Sequence, residues 1–385
     1  MPARTTTMPS LLAALAATAA VPSLACAQTL TPFPRAAVGG VSEDGRYVAY
    51  STLGDNAFRF DSLTGESLPI GRGITQDMTP DGTAIVGTKT SGDGAFLWTE
   101  DGGYVDLNAT VPEFADPRTR AYAITDDASA IIGAPFFEPS FVYRLDGPTT
   151  HLPPGGEALE ISGDGSTVPG WLYPPGGIYE DAAVFDAIDG AAQVLLPGCD
   201  CGSSVATRDG SLIAGFLPWQ NQLFRAPAGG DVEIIDMFPD TLATFFFDMS
   251  ADGGVMTGMV FRPDAAYAYI WTEDVGLRTF HDFLTFEQGF DVTGWQFEYV
   301  AVNPSGRAFA GAGYDPAGQA SNFLVTLGPP CVADFDRDGS LTIFDFLAFQ
   351  NLFQDGNPAA DLDGDGELTL LDYLAFQNAF DAGCE

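Results

Sequence analysis

Ser250-Ala251-Asp252-Gly253-Gly254-Val255-Met256-Thr257-Gly258 is the stretch from which the fold can be read. Its Asp-Gly pair lies between apolar runs, and Gly takes the positive φ that a tight hairpin turn requires. The pattern Ser/Thr-x-Asp-Gly-x-x-hydrophobic-x-Gly recurs, with variations, seven times: from Ser42, Thr79, Thr125, Ser162, Thr207, Ser250 and Asn303. Successive copies are 37 to 53 residues apart, the period of one propeller blade per repeat.

After each turn a variable loop leads to an aromatic-bearing third strand: Ala95-Phe96-Leu97-Trp98, Phe141-Val142-Tyr143, Ala183-Val184-Phe185, Leu223-Phe224-Arg225, Tyr269-Ile270-Trp271 and Phe323-Leu324-Val325. A fourth strand follows, often with a Leu-Pro end, as at Leu68-Pro69, Leu152-Pro153 and Leu196-Pro197. Four antiparallel strands repeated seven times predict an all-β, seven-bladed β-propeller over residues 28–327, with an open β-solenoid as the competing architecture. Thr279 to Phe286 is the one helix expected there. Copy seven stops at Val325-Thr326-Leu327 without a fourth strand, while Gln28-Thr29-Leu30-Thr31-Pro32 reads as an orphan strand. Pairing the two would close the ring and remove its open edges.

These copies resemble the extracellular HAF repeat family, through Ser-x-Asp-Gly-x-x-hydrophobic-x-Gly and Ala95-Phe96-Leu97-Trp98. Thr293-Gly294-Trp295 and Gly311 to Leu327 are similar to that family's final repeat. Ala128 and Ser305 depart from the Asp-Gly pair. The resemblance supports the fold and implies no activity.

A second pattern fills residues 331–385, after a short Gly328-Pro329-Pro330 hinge. Carboxylates stand at loop positions 1, 3, 5 and 12 in Asp334, Asp336, Asp338 and Asp345, and again 27 residues later in Asp361, Asp363, Asp365 and Asp372. With Gly339 and Gly366 at position 6, that spacing suits a hard cation taking six to eight oxygen ligands. Ser340 and Glu367 offer carbonyls, and Thr342 and Thr369 a side chain or bridging water, so two calcium ions are expected. Each loop runs into a near-identical helix, Leu347-Ala348-Phe349-Gln350-Asn351 and Leu374-Ala375-Phe376-Gln377-Asn378. Asp rather than Glu at position 12, with no helix before the first loop, resembles the dockerin family. The Ala-Gly-Cys ending and Cys331 are similar to its GC-type variant. The resemblance implies a small α-helical module that anchors its protein to a cohesin-like or cell-surface receptor through the duplicated helices. In that docking face Phe346, Phe349 and Phe353 pack inward while Phe344, Leu347 or Gln350 face a receptor. Cys331 and Cys384 bracket the module, and a disulfide between them would be worth about 3–5 kcal/mol through chain entropy.

Met1 to Ala27 reads as a secretory signal: Arg4, the apolar run Leu11 to Ala20, then Ala25-Cys26-Ala27 as the cleavage site. Cys26 is alternatively a lipidation site. The run is too short to span a bilayer, so an exported chain with no membrane span is expected. The formal net charge of −37 excludes nucleic acid and anionic surfaces as partners. Hydrophobic residues make up 46%, enough for a packed core rather than a disordered chain. Four cysteines remain after cleavage, which suits an oxidising compartment. Cys199-Asp200-Cys201 is half a metal site in a reducing compartment, and a local disulfide in an exported chain.

No catalytic constellation is legible. His151 and His281 lack a Gly-x-Ser-x-Gly elbow or a metal-ligand partner. Asp44, Asp81, Asp164, Asp209 and Asp252 recur at one blade position, as turn residues do. Gly170-Trp171-Leu172-Tyr173 and Pro218-Trp219-Gln220 offer rings for a polysaccharide. Two classes of function stand: a tethered binding module without catalysis, and a scaffold-borne carbohydrate-degrading enzyme. In the module, one Arg among a dozen acidic residues ties folding to cation neutralisation. Calcium added to the chelated full chain should raise its helical circular dichroism signal, and calorimetry should count two ions. A spectrum indifferent to the chelator contradicts this.

Overall fold

The computed structural model describes residues 28–382 apart from 53, 90–93, 136–137, 177–178, 201, 228–229, 328–332, 334, 336–342, 355–356, 358–359, 361 and 363–367. Residues 1–27 and 383–385 also lie outside the described residues.

Seven four-stranded antiparallel sheets form the blades of a closed wheel, so the solenoid alternative is set aside. The inner strands are Ala37–Val41, Ile74–Met78, Arg120–Ile124, Gly156–Ala158, Gly202–Ala206, Ala243–Met249 and Gln296–Val302, which start blades 1 to 7 in chain order. Every aromatic-bearing stretch named above lies in a third strand. The orphan strand is Thr29–Pro34, and it pairs with Ala320–Thr326, with Thr29 opposite Thr326 and Pro34 opposite Ser321. The N-terminal strand therefore completes blade 7, as expected.

One local device builds six of the seven blades, and in the seventh Asn303 Oδ1 accepts from the Ser305 hydroxyl and the Ala308 N–H instead. The Ser/Thr that opens the turn is buried and donates to the Asp two residues on, at 2.7 Å for Ser42 to Asp44 and 2.6 Å for Ser250 to Asp252. The Asp then accepts the backbone N–H two residues further, as Arg46 and Gly254 show at 2.9 Å each. The third turn keeps this geometry without glycine: Ala128 adopts φ 58°, a left-handed conformation that costs an L-residue about 1 kcal/mol. The glycine that ends the motif at Gly258 has a packing reason. A β-carbon on Gly258 would collide with the Phe245 carbonyl and the Tyr269 ring.

The same turns lock blade to blade. Glu43 N–H donates to the Pro80 carbonyl (2.7 Å), Asp126 to Gly163 (3.0 Å), Asp164 to Arg208 (2.8 Å), Arg208 to Ala251 (3.0 Å) and Ala251 to Pro304 (2.8 Å). Pro80 and Pro304 have no N–H to continue the chain of bonds. At the first gap, Ile124 N–H of blade 3 donates to the Asp77 carboxylate of blade 2 at 2.8 Å. At the second, the Asn303 amide donates to the carbonyls of Ser42 and Glu43 at 2.9 and 2.7 Å.

Helix is scarce but not confined to one place. Phe280–Asp282 and the π-turn Phe283–Glu287 fall where a helix was expected. Leu107–Thr110, capped by Asp106, is an additional short helix that its four-residue length hid in the sequence. Two helices, Ile343–Gln354 and Leu370–Ala382, follow the acidic loops, and their Phe349 and Phe376 rings stack at 4.4 Å. No helix among the described residues is long and apolar enough to cross a membrane.

Phe33 clasps the ring. It sits on the N-terminal strand yet stacks on Phe60 of blade 1 (5.2 Å) and meets Tyr50 (5.6 Å), with 5% of its surface exposed. Phe33→Ala should cost about 3–5 kcal/mol in chemical unfolding. A loss below about 1 kcal/mol, the range of an ordinary surface change, would show that closure does not depend on this strand.

Candidate functional site in the propeller channel

The inner strands surround a cavity of about 840 Å³ along the propeller axis, lined by residues from all seven blades. Bulges in six of these strands shift register just before the turn, and bulges re-aim side chains. The residue two before the turn Ser/Thr/Asn lines the cavity in every blade but the third, where Ala123 is buried in the core. In blades 1 to 7 it is Gly40, Asp77, Ala123, Glu160, Val205, Asp248 and Ala301. Carboxylates thus occupy alternate blades 2, 4 and 6, and all three line the cavity.

Each of the three binds the next backbone N–H: Met78 to Asp77 at 2.7 Å, Ile161 to Glu160 at 2.9 Å and Met249 to Asp248 at 2.8 Å. Their surfaces are half-buried, facing a cavity whose walls hold them away from bulk water. Charge is disfavoured there. Burial pushes Asp77 up to about 7, against the opposing N–H bonds from Ile124 and Met78, with the Asp126 charge adding to the rise. Burial pushes Asp248 up to about 8, and the Asp77 charge adds to it. Glu160 rises well above its ordinary value through burial and then the charges of Asp77 and Asp248. The three therefore act on one another across the axis.

One end of the channel is bridged. Arg208 of blade 5 pairs with Glu43 of blade 1 at 3.1 Å and with Asp126 of blade 3. Since these blades are not neighbours, the ion pairs cross the mouth formed by the turns. At the other end Phe247, 42% exposed, meets Tyr299 at 5.6 Å, giving that mouth an aromatic lip. Arg35 also lines the cavity and is engaged by Glu298 at 2.9 Å. Among the described residues no three His, Cys, Asp or Glu side chains are grouped to hold a metal ion.

The repeat aspartates are turn residues, as expected. Asp81, Asp127, Asp164 and Asp209 are held below the usual carboxylate range; the hydrogen bonds of the turn lower them, against burial in Asp81 and Asp164. Neither His151 nor His281 lines the channel. Of the expected calcium ligands, Asp345 and Asp372 are fully buried at the starts of their helices. The two Asp372 oxygens accept the N–H groups of Leu362 (2.8 Å) and Thr369 (2.6 Å). Asp334, Asp336, Asp338, Ser340, Thr342, Asp361, Asp363, Asp365 and Glu367 lie outside the described residues, as do Cys201, Cys331 and Cys384.

Sequence reading missed the channel residues. They stand at the second position before the turn, outside the repeated Ser/Thr-x-Asp-Gly pattern.

The folded values of Asp77 and Asp248 lie above the unfolded carboxylate value of about 4, so folding takes up protons. The stability they contribute is complete below about pH 4 and lost as pH rises to about 8. The lowered turn aspartates act oppositely, but only at the acid end of that window. Urea unfolding should therefore show stability falling between about pH 5 and 8, with a shallower slope in Asp248→Asn. A slope unchanged by that variant contradicts the assignment.

No family model matches the chain, and no curated protein matches it. Solved structures share its fold. The β-propeller domain of Cps50 (Swd1) from Myceliophteria thermophila matches with a TM-score of 0.53 and 11% identity, covering 77% of this chain and 99% of its own. An oligogalacturonate lyase from Vibrio parahaemolyticus matches with a TM-score of 0.54 and 11% identity, covering 79% and 97%. An oligogalacturonate lyase in complex with manganese matches with a TM-score of 0.52 and 14% identity, again covering 79% and 97%. At these identities the likeness is one of fold: the chain carries a seven-bladed β-propeller.

Proposed function

We propose that this is an exported binding module: the propeller channel takes the end of a neutral saccharide chain, and the acidic C-terminal segment is a calcium-stapled tether. The observation that carries the channel reading is an axial cavity with an aromatic lip at one mouth and an ion-paired bridge at the other. Carboxyls held toward their protonated form both donate and accept hydrogen bonds, as sugar hydroxyls require, without carrying three charges into the channel. Polyanions do not fit: the net charge of −37 repels them, and both arginines in the cavity are engaged by carboxylates. The acidic ligand in the name of the oligogalacturonate lyases is for that reason not carried over.

The tether reading rests on the duplicated helices. Their equivalent residues Ile343 and Leu370 are 63% and 71% exposed, and Leu347 and Leu374 are 44% and 45% exposed. A matched pair of exposed apolar residues on each helix offers one surface twice, as a cohesin-like or cell-surface receptor would use it. The buried Asp345 and Asp372 would each close one calcium loop.

A scaffold-borne glycoside hydrolase is the second reading, favoured by the raised carboxyls alone. A carboxyl still protonated near neutral pH is what a general acid needs.

Neutral oligosaccharides screened against the full chain test the first reading. Retention of at least one glycan is expected, weakened about tenfold or more by Phe247→Ala through loss of stacking. No retained glycan, or retention indifferent to Phe247→Ala, contradicts it. Release of shortened product from the bound glycan, abolished by Glu160→Gln or Asp248→Asn, would establish the second reading instead.

A further inference from the structure

A slot of about 400 Å³ opens on the wheel face opposite the aspartate turns, where blade 4 meets blade 5. It is lined by Tyr179, Gly198, Cys199, Asp200, Trp219 and Gln220, none of which borders the channel. Trp219 stands in the hairpin between Leu212–Leu217 and Gln222–Pro227. Its ring is 77% exposed, whereas Trp98 and Trp271 are 6% and 7% exposed. Leaving that much apolar ring in water is unfavourable by the usual area rule, so a reason is needed for its being held out.

The ring is held from one edge. Its indole N–H donates to the Asp200 carboxylate. Asp200 is in turn fixed in a left-handed conformation, φ 49°, with its own N–H bonded to the Glu180 carbonyl at 2.9 Å. Next to it, Gly198 N–H is bonded to Asp181 at 2.5 Å. Tyr179 is 52% exposed on the other side of the slot, and the Tyr173 hydroxyl donates to the Glu180 carboxylate.

Carboxylates gather at the slot: Asp200 lines it, and Glu180 follows Tyr179 in the chain. Among the described residues no ion pair involves Glu157, Glu180 or Asp200. Neighbouring groups register that excess. Burial and then the Glu180 charge push Glu157 up, and the hydrogen bond to Glu180 pushes the Tyr173 hydroxyl up.

We infer that this slot binds an organic ammonium ion. An exposed indole face held beside unneutralised carboxylates offers a cation both the ring quadrupole and direct charge attraction. A neutral sugar would gain only the stacking, and an anion would be repelled. The inference is independent of the channel and of any calcium bound by the C-terminal loops.

Choline chloride added to the full chain tests it, read at the indole N–H resonance of Trp219. That signal is assigned among the five tryptophans by its absence from Trp219→Phe. A saturating shift in the millimolar range is expected, weakening about threefold as salt shortens the reach of the charges. Asp200→Asn keeps an acceptor for the indole and tolerates the left-handed backbone, yet should weaken choline about three- to tenfold by removing the charge. Trp219→Ala should abolish choline binding read by calorimetry, with circular dichroism unchanged. The uncharged isostere 3,3-dimethyl-1-butanol should give a far smaller shift, and maltotriose none. Equal shifts from choline and the alcohol, a shift from maltotriose without one from choline, or no shift at all would each overturn the inference.

Discussion

Ring closure depends on hydrogen bonds that run from turn to turn around one face of the wheel. Each is an ordinary bond worth about 1 kcal/mol, but together they fix where every inner strand ends. The buried hydroxyl and aspartate inside six of the turns, and Asn303 in the seventh, make that position reproducible from blade to blade. Where proline interrupts the series, a side chain takes over. Asp77 does so after Pro80, and Asn303 does so beside Pro304. The N-terminal strand then supplies the last ladder, from Thr29 opposite Thr326 to Pro34 opposite Ser321.

The channel inherits its chemistry from that scaffold. A bulged inner strand presents its last residues to the axis, and any polar group placed there faces a shared cavity. Three carboxylates on alternate blades raise one another's affinity for protons, with burial as the larger cause. Asp77 carries two roles at once, joining blade 2 to blade 3 and lining the cavity. Glu160 and Asp248 each bind the N–H of the residue that follows. Arg208 pairs with both Glu43 and Asp126 at the mouth formed by the turns, whereas no ion pair among the described residues involves the three carboxylates within the channel.

Most of the architecture was legible because its causes are local. Asp-Gly turns, aromatic third strands and a missing fourth strand are all visible within a few residues, and the structure places each of them as read. Ala128 shows the limit of the motif, since it holds the turn geometry without the residue that favours it. The channel was hidden for a different reason. Asp77, Glu160 and Asp248 are separated by more than 80 residues in each step, and only ring closure brings them to one axis. Strand alternation also misleads there, because a bulge breaks the period of two before Asp77 and Asp248. Exposure of Trp219 was likewise beyond sequence: the hairpin was visible, but not the Asp200 contact from the neighbouring connection that holds the ring outward.

The claim on which the functional reading turns is that the closed wheel keeps its axial carboxyls protonated near neutral pH. Carbon-13 titration of the side-chain carboxyls in the intact chain, assigned with Asp77→Asn and Asp248→Asn, measures this directly. Midpoints of about 7 for Asp77 and about 8 for Asp248 are expected. Midpoints near the ordinary value of about 4 would mean the channel is open to bulk water and would contradict the site as described.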